Sequence, residues 1–315
     1  MNGEKSWVGV DICQAVLDVY VAPAAQALQY PNTEAGVEQF IKQLQQLCPQ
    51  IVAFESTGGL ERLLVHGLQQ HQIPAARINP RKIRAFATAV GKAKTDALDA
   101  QVIAQFAQSL GTKAQKLPAR EAEQLSELVA RRRQLVTMRV AEKNRLSRAS
   151  DAMREDISDH IEQLTERIER LERQIHHQGQ QQADWQRKRA LLLSVPGIGP
   201  ASAALCLSEL PELGQLDHRK IARLVGVAPI NRDSGKHKGK RMISGGRTNV
   251  RCGLYMAALV AARHNPVIRQ FYQRLRQRGK LHKVAITACI RKLIITLNAM
   301  IRDDSPWRPP SPQYQ

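Results

Sequence analysis

WVGVDICQAVLDVYVA, residues 7–22, contains two short runs rich in β-branched and aromatic residues, separated by a few small and polar ones. Alternating apolar residues on both sides of so short a joint predict a β-hairpin. Asp11 lies inside the first run, between Val10 and Ile12. Strand interiors disfavour aspartate, and an unpaired carboxylate buried there is costly, so the position calls for a compensating partner.

Outward from the hairpin the pattern alternates. GVEQFIKQLQQL has helical spacing, IVAFES is an apolar strand ending near Glu55, LERLLVHGLQQH is a helix, and AARIN is a short strand. IRAFATAV and DALDAQVIAQFAQSL read as helices, the second with Thr95 as its N-cap. Residues 1–118 are therefore expected to form an α/β domain, a mixed sheet with helices packed on it.

Residues 119–190 differ in character. No proline occurs between Pro118 and Pro196, and Ile157, Ile161, Leu164, Ile168, Leu171 and Ile175 follow an a/d heptad seam flanked by Glu and Arg. Long coiled-coil helices are predicted, paired with each other or with a second subunit. Residues 191–302 form a mostly helical basic domain opening with SVPGIGP, a glycine turn in which Gly197 and Gly199 leave backbone N–H groups able to bind phosphate, in the manner of a helix-hairpin-helix. The proline-rich tail, 303–315, is expected to be disordered.

The formal charge of +19 is uneven: +2 over 1–118, +2 over 119–190 and +15 over 191–315. Between Leu213 and Arg302 the only acids are Asp217 and Asp233, so this region should attract a polyanion. Aromatics are 4% of the chain, too few for broad stacking on single strands. Five scattered cysteines without a CxxC pair argue against a disulfide framework and a zinc site. No apolar run reaches the ~18 residues a spanning helix needs and the N-terminus lacks the order of a signal peptide, which together predict a cytoplasmic protein with no membrane partner, nucleoid-associated when bound to DNA.

In so basic a chain the carboxylates of the α/β region stand out. Asp96 and Asp99 in KTDALDA share one helical face, Asp11 lies in the first strand, and Glu55 ends a later one before STGG. Four oxygen donors on three elements can converge at one sheet edge and suit one or two Mg²⁺ ions. Asp18 and Glu61 are set aside as decoys.

This arrangement resembles an RNase H-like, RuvC-type nuclease domain. Over residues 7–300 the ordered series VGVDIC, FESTGG, KTDALDA, SVPGIGP, NRDSGKHKGKR and ISGGR resembles the DEDD-type transposases of insertion sequences, the family related to Piv-type DNA invertases and including the bridge-RNA-guided recombinases. The resemblance implies a two-part active site. Asp11, Glu55, Asp96 and Asp99 would hold two Mg²⁺ ions, and a C-terminal serine would form a phosphoserine link to DNA. That serine matches Ser234 in RDSG, with Ser244 in ISGG as the competitor. Lys236, Lys238, Lys240, Arg241 and Arg247 are expected to hold phosphates. The expected partners are double-stranded donor and target DNA, a structured guide RNA, and further copies of the chain in a dimer or tetramer with composite sites. Two readings compete with this: a metal-dependent junction nuclease, and a non-catalytic nucleic-acid-binding scaffold.

Overall fold

The computed structural model describes residues 6–91, 96–115, 117–231, 239 and 241–309, with the side chains of 96–98 left aside. The chain divides into two compact units, Met1–Arg120 and Glu121–Gln315.

The first unit is built on a five-stranded sheet: β1 (Trp7–Ile12), β2 (Val16–Ala22), β3 (Gln26–Pro31), β4 (Ile51–Glu55) and β5 (Ala75–Ile78). Its spatial order is β3-β2-β1-β4-β5. The first three strands are antiparallel neighbours, whereas β4 and β5 run parallel to β1. A meander of three strands followed by two parallel crossovers is the RNase H-like arrangement. The hairpin over residues 7–22 is present as expected. The third strand was missed because its side chains are mostly exposed and carry no strong alternation.

Four helices belong to this sheet: α1 (Glu34–Leu47), α2 (Arg62–Gln70), α3 (Pro80–Ala89) and α4 (Asp96–Ser109). Val8, Val10, Val52 and Phe54 turn towards α1 and α2, forming a core with Phe40, Ile41 and Leu64. Strand alternation sends Trp7, Ile51 and Ala53 to the other face, against Val102, Ile103 and Phe106 of α4. The contact between α4 and β1 is close because residue 9 is glycine. A Cβ at Gly9 would lie 2.2 Å from the Ala100 carbonyl oxygen and 2.4 Å from the Ala104 nitrogen.

The second unit opens with α5 (Arg120–Leu146) and α6 (Asp151–Gln180), which pair as an antiparallel hairpin. Arg132 Nε donates to Glu172 Oε1 at 2.8 Å, Arg139 to Thr165 Oγ1 at 3.3 Å, and His160 Nδ1 lies 3.5 Å from Glu142 Oε1. Leu164, Ile168 and Ile175 of the heptad seam are buried, the first two against Leu135 of α5, so this part of the seam finds its partner within the chain.

The remaining helices are α7 (Ala183–Leu193), α8 (Pro200–Glu209), α9 (His218–Val225), α10 (Thr248–His264), α11 (Pro266–Gln277) and α12 (His282–Arg302), with a two-stranded ribbon of β6 (Pro229–Ile230) and β7 (Met242–Ile243). By length and composition α12 could cross a membrane, although Arg291 and Lys292 interrupt its apolar run. Its Ile286, Ile290, Leu293, Ile294 and Leu297 lie in the core of this unit beside Leu254, Ala258 and Ala261 of α10. Ordered chain also extends past the boundary set at residue 303. Trp307 N–H donates to Ser194 Oγ at 2.9 Å, and Arg187 pairs with Asp304 at 2.6 Å.

Candidate active site

In the first unit the register of two strands sets the candidate site. The parallel ladder of β1 and β4 runs from Trp7↔Ile51 to Val10↔Phe54. Asp11 and Glu55 are the next residue on each strand. Alternation turns both away from the α1–α2 core and onto the face that α4 covers. Neighbouring strands lie about 4.8 Å apart, so two carboxylates stand side by side at the carboxyl ends of the central strands. On the other flank of β1, Asp18 is directly opposite Asp11 in register and accepts a 2.8 Å bond from Gln29 Nε2. Nothing in the sequence around Asp18 marks it, since only strand pairing makes it the neighbour of Asp11.

The third element is the first turn of α4. Asp99 is half-buried and directly precedes Ala100, whose carbonyl lies over Gly9, two residues before Asp11. Asp96 begins the same helix, but its side chain, like Thr95, lies outside the described residues. Among the described residues no group of three or more His, Cys, Asp or Glu is gathered closely enough to hold a metal ion. Asp11 and Glu55 both have interactions with other groups of the protein, and Asp11 Oδ1 also accepts from Ile12 N–H at 3.0 Å. The donor set is nonetheless of the right chemistry for a hard cation: carboxylate oxygens on adjacent strands, with another on the helix packed across them.

Glu61, also set aside from sequence, organises the loop behind Glu55. It is 3% exposed. Its carboxylate accepts from the Thr57 hydroxyl and from Gly59 N–H at 2.8 Å, and Arg77 of β5 lies 3.7 Å away. Burial pushes its pKa up, but the Thr57, backbone and Gly59 hydrogen bonds and the Arg77 charge outweigh this and hold it below the usual carboxylate value. Asn32 joins the loops after β1 and β4, donating to Cys13 O at 2.9 Å and to Leu60 O at 3.2 Å. The available signal for Glu61 was a carboxylate at an apolar position of ESTGGLERLL.

In the second unit, Ser234, Lys236, Lys238 and Lys240 lie outside the described residues, and so does His237. The structure describes the stem that carries them. β6 and β7 pair Pro229 with Ile243 and Ile230 with Met242. Below them Gly226 and Gly246 pack so closely that a Cβ on Gly246 would lie 2.3 Å from the Gly226 nitrogen. Arg251 donates to Gly245 O at 2.7 Å and to Val225 O and Gly226 O at 3.3 Å, closing the stem. Arg247 forms a bidentate pair with Glu212, both distances 2.6 Å, and donates to Glu209 O at 2.7 Å, so any phosphate there must compete with a carboxylate. Arg241 and Ser244 are exposed.

The glycine turn between α7 and α8 has two unlike glycines. Gly197, at φ +103°, backs onto α10, where a Cβ would lie 2.6 Å from Ala261 Cβ, and Asn265 Nδ2 donates to the adjoining Pro196 O at 3.3 Å. Gly199 is the N-cap of α8 and has open space around it. Packing accounts for the first glycine, while the second leaves a helix N-terminus uncovered.

An RNase H-like sheet with carboxylates at the ends of its central strands, followed by a strongly basic helical unit, defines the class: an enzyme working on a nucleic-acid backbone. A transposase family model for DEDD enzymes of the IS110 type matches residues 8–154, and that of the IS116/IS110/IS902 transposase family matches residues 189–273. The chain belongs to this transposase family, and its activity is that of a DNA transposase or recombinase. The pilin gene-inverting protein of Moraxella bovis is 25% identical over 314 residues, covering 96% of this chain and 98% of that one. The IS900 uncharacterized 42 kDa protein of Mycobacterium paratuberculosis is 34% identical over 129 residues, 39% of this chain and 32% of its own. The Thermus thermophilus RuvC structure covers 35% of this chain and 98% of its own at 12% identity and a TM-score of 0.26, and the fold assignment rests on strand order instead.

Proposed function

We propose that this recombinase cuts and rejoins DNA through a phosphoserine intermediate at Ser234, assisted by two Mg²⁺ ions held by Asp11, Glu55, Asp96 and Asp99, and that a structured guide RNA directs it to donor and target DNA. The observation that carries the reading is the adjacent register of Asp11 and Glu55 on the face that α4 covers. Bound metal would supply positive charge where the phosphodiester gathers negative charge.

In the proposed step the Ser234 Oγ–phosphorus bond forms while one phosphorus–oxygen ester bond of the DNA breaks. The hydroxyl proton passes to a base, and the departing strand end keeps the ester oxygen. The number of phosphoester bonds is unchanged, so the reverse attack by another strand end rejoins DNA without an external energy source. Lys236, Lys238, Lys240 and Arg241 hold phosphates and the Gly199 end of α8 adds a backbone contact, while Arg247, expected from sequence to do the same, is held by Glu212 and braces the stem. The active assembly is a dimer or tetramer in which the acids and the serine combine, working on the double-stranded DNA of the nucleoid.

The test uses end-labelled duplex carrying the element boundary, the co-purified RNA and Mg²⁺. The parent protein should give a protein–DNA adduct whose peptide maps to Ser234. Ser234→Ala should give neither adduct nor cleavage, while Ser244→Ala retains both. Cleavage that survives in Ser234→Ala but not in Asp11→Asn would make the protein a nuclease.

A further inference from the structure

A cleft in the second unit is lined by none of the residues of the serine-bearing stem, and of the groups used in the proposed chemistry only the Gly199 end of α8 borders it. It measures about 700 Å³ and is walled by the C-terminal end of α6, by α7 and by the start of α8, with Arg132 of α5 at its side. That volume falls within the range of small-molecule sites. Its lining combines an apolar wall, Ile175, Leu193 and Ala204, with the indole of Trp185 and the guanidinium of Arg189.

Trp185 reaches this position because residue 179 is glycine. A Cβ there would lie 2.4 Å from the indole Nε1 and 2.7 Å from Cδ1. The two arginines differ in their surroundings. Arg132 is bound to Glu172, whereas Arg189 has no carboxylate partner among the described residues. Ala201, in the first turn of α8, also lines the cleft, and the Gly199 cap provides no side chain to cover that helix end. One cleft thus offers an aromatic surface and apolar wall at the right size for a base, together with an unpaired guanidinium and a positive helix end for its phosphate.

We infer that this cleft binds a single unpaired nucleotide of the nucleic acid on which the recombinase acts, the base against Trp185 and the phosphate at Arg189 and the start of α8. A duplex can fill a cleft of this kind only by flipping a base out of its stack, at the cost of unstacking and unpairing it, so the site favours strand that has already left the double helix. An unpaired nucleotide comes equally from opened DNA or from a loop of RNA. The inference does not depend on the metal-and-serine reading, because binding without Mg²⁺ and without cleavage is sufficient to show it.

The experiment measures binding of the full chain, with metal chelated, to labelled single strands of about ten nucleotides, oligo-dT or oligo-U, and to a duplex of equal length. Trp185→Ala and Arg189→Gln should each weaken single-strand binding by about tenfold and change duplex binding less than about twofold. Ala201→Asp, which adds a carboxylate at the exposed mouth, should act in the same direction and serves where Trp185→Ala fails to fold. Photocrosslinking of 5-iodouracil-substituted strands should label the peptide containing Trp185. Tighter binding of oligo-dT would identify DNA as the source, and tighter binding of oligo-U would identify RNA. Equal loss of duplex and single-strand binding, unchanged single-strand affinity in Arg189→Gln and Ala201→Asp, or crosslinks only at other peptides would overturn it.

Discussion

The two ends of the proposed chemistry are held by different physics. In the first unit, Asp11 and Glu55 are placed by backbone register, with β1 and β4 paired along their length and α4 seated on Gly9. In the second, the stem of the serine-bearing segment is closed by side chains, with Arg251 on three carbonyls and Arg247 on Glu212. A sheet fixes carboxylates with hydrogen bonds independent of side-chain identity, whereas the stem needs particular arginines. The contrast also cautions against equating basic charge with phosphate contacts. Some of the cations beyond residue 190 serve internal groups, Arg247 a carboxylate and Arg251 backbone carbonyls.

The largest effects are expected at the acids. Asp11→Asn should leave the melting temperature within a few degrees of the parent and reduce strand cleavage on the order of 10³-fold, as should metal chelation in the parent. A variant with ordinary cleavage would remove the first unit from the chemistry. Gly9→Ala attacks the scaffold instead. With backbone atoms only 2.2–2.4 Å from the new Cβ, α4 must lift from β1, at a cost of about 1–3 kcal/mol measured by denaturant unfolding, and cleavage should fall with it.

Glu61→Leu removes the acceptor for Thr57 and Gly59 and should cost about 1–3 kcal/mol, with weaker cleavage because the loop after Glu55 loosens. The folded pKa of Glu61 lies below its ordinary value of 4.5, so its stabilising contribution is complete above that value and is lost as pH falls through the lower, folded value. The parent should therefore lose stability below about pH 4.5 more steeply than Glu61→Gln, which unfolding midpoints across the acid range would show.

Within the basic unit the two arginines should differ by smaller amounts. Arg247→Ala should lower stability by about 1 kcal/mol by releasing Glu212. Arg241→Ala, at an exposed position, should leave stability unchanged and reduce the slope of log affinity for DNA against log salt by about 1. The opposite assignment of these two effects would mean that the stem, rather than the exposed cation, meets the phosphate.

The amino-acid sequence alone determined the hairpin, the alternation of strands and helices, the two long helices and the uneven charge, because each is written in local periodicity or composition. It also singled out Asp11 and Glu55, since a carboxylate in or at the end of an apolar strand is conspicuous without any partner in view. Other features depend on register and packing. These are the side-by-side placement of Asp11 and Glu55, the neighbour Asp18, the burial of Glu61, the pairing of α6 with α5, and the different duties of Gly197 and Gly199. The half-exposed β3 escaped for the same reason, as a strand that buries little is recognised mainly by the strand beside it. Contacts between residues distant in sequence leave no periodicity, and at these positions the physical cause is the neighbour brought in by the fold.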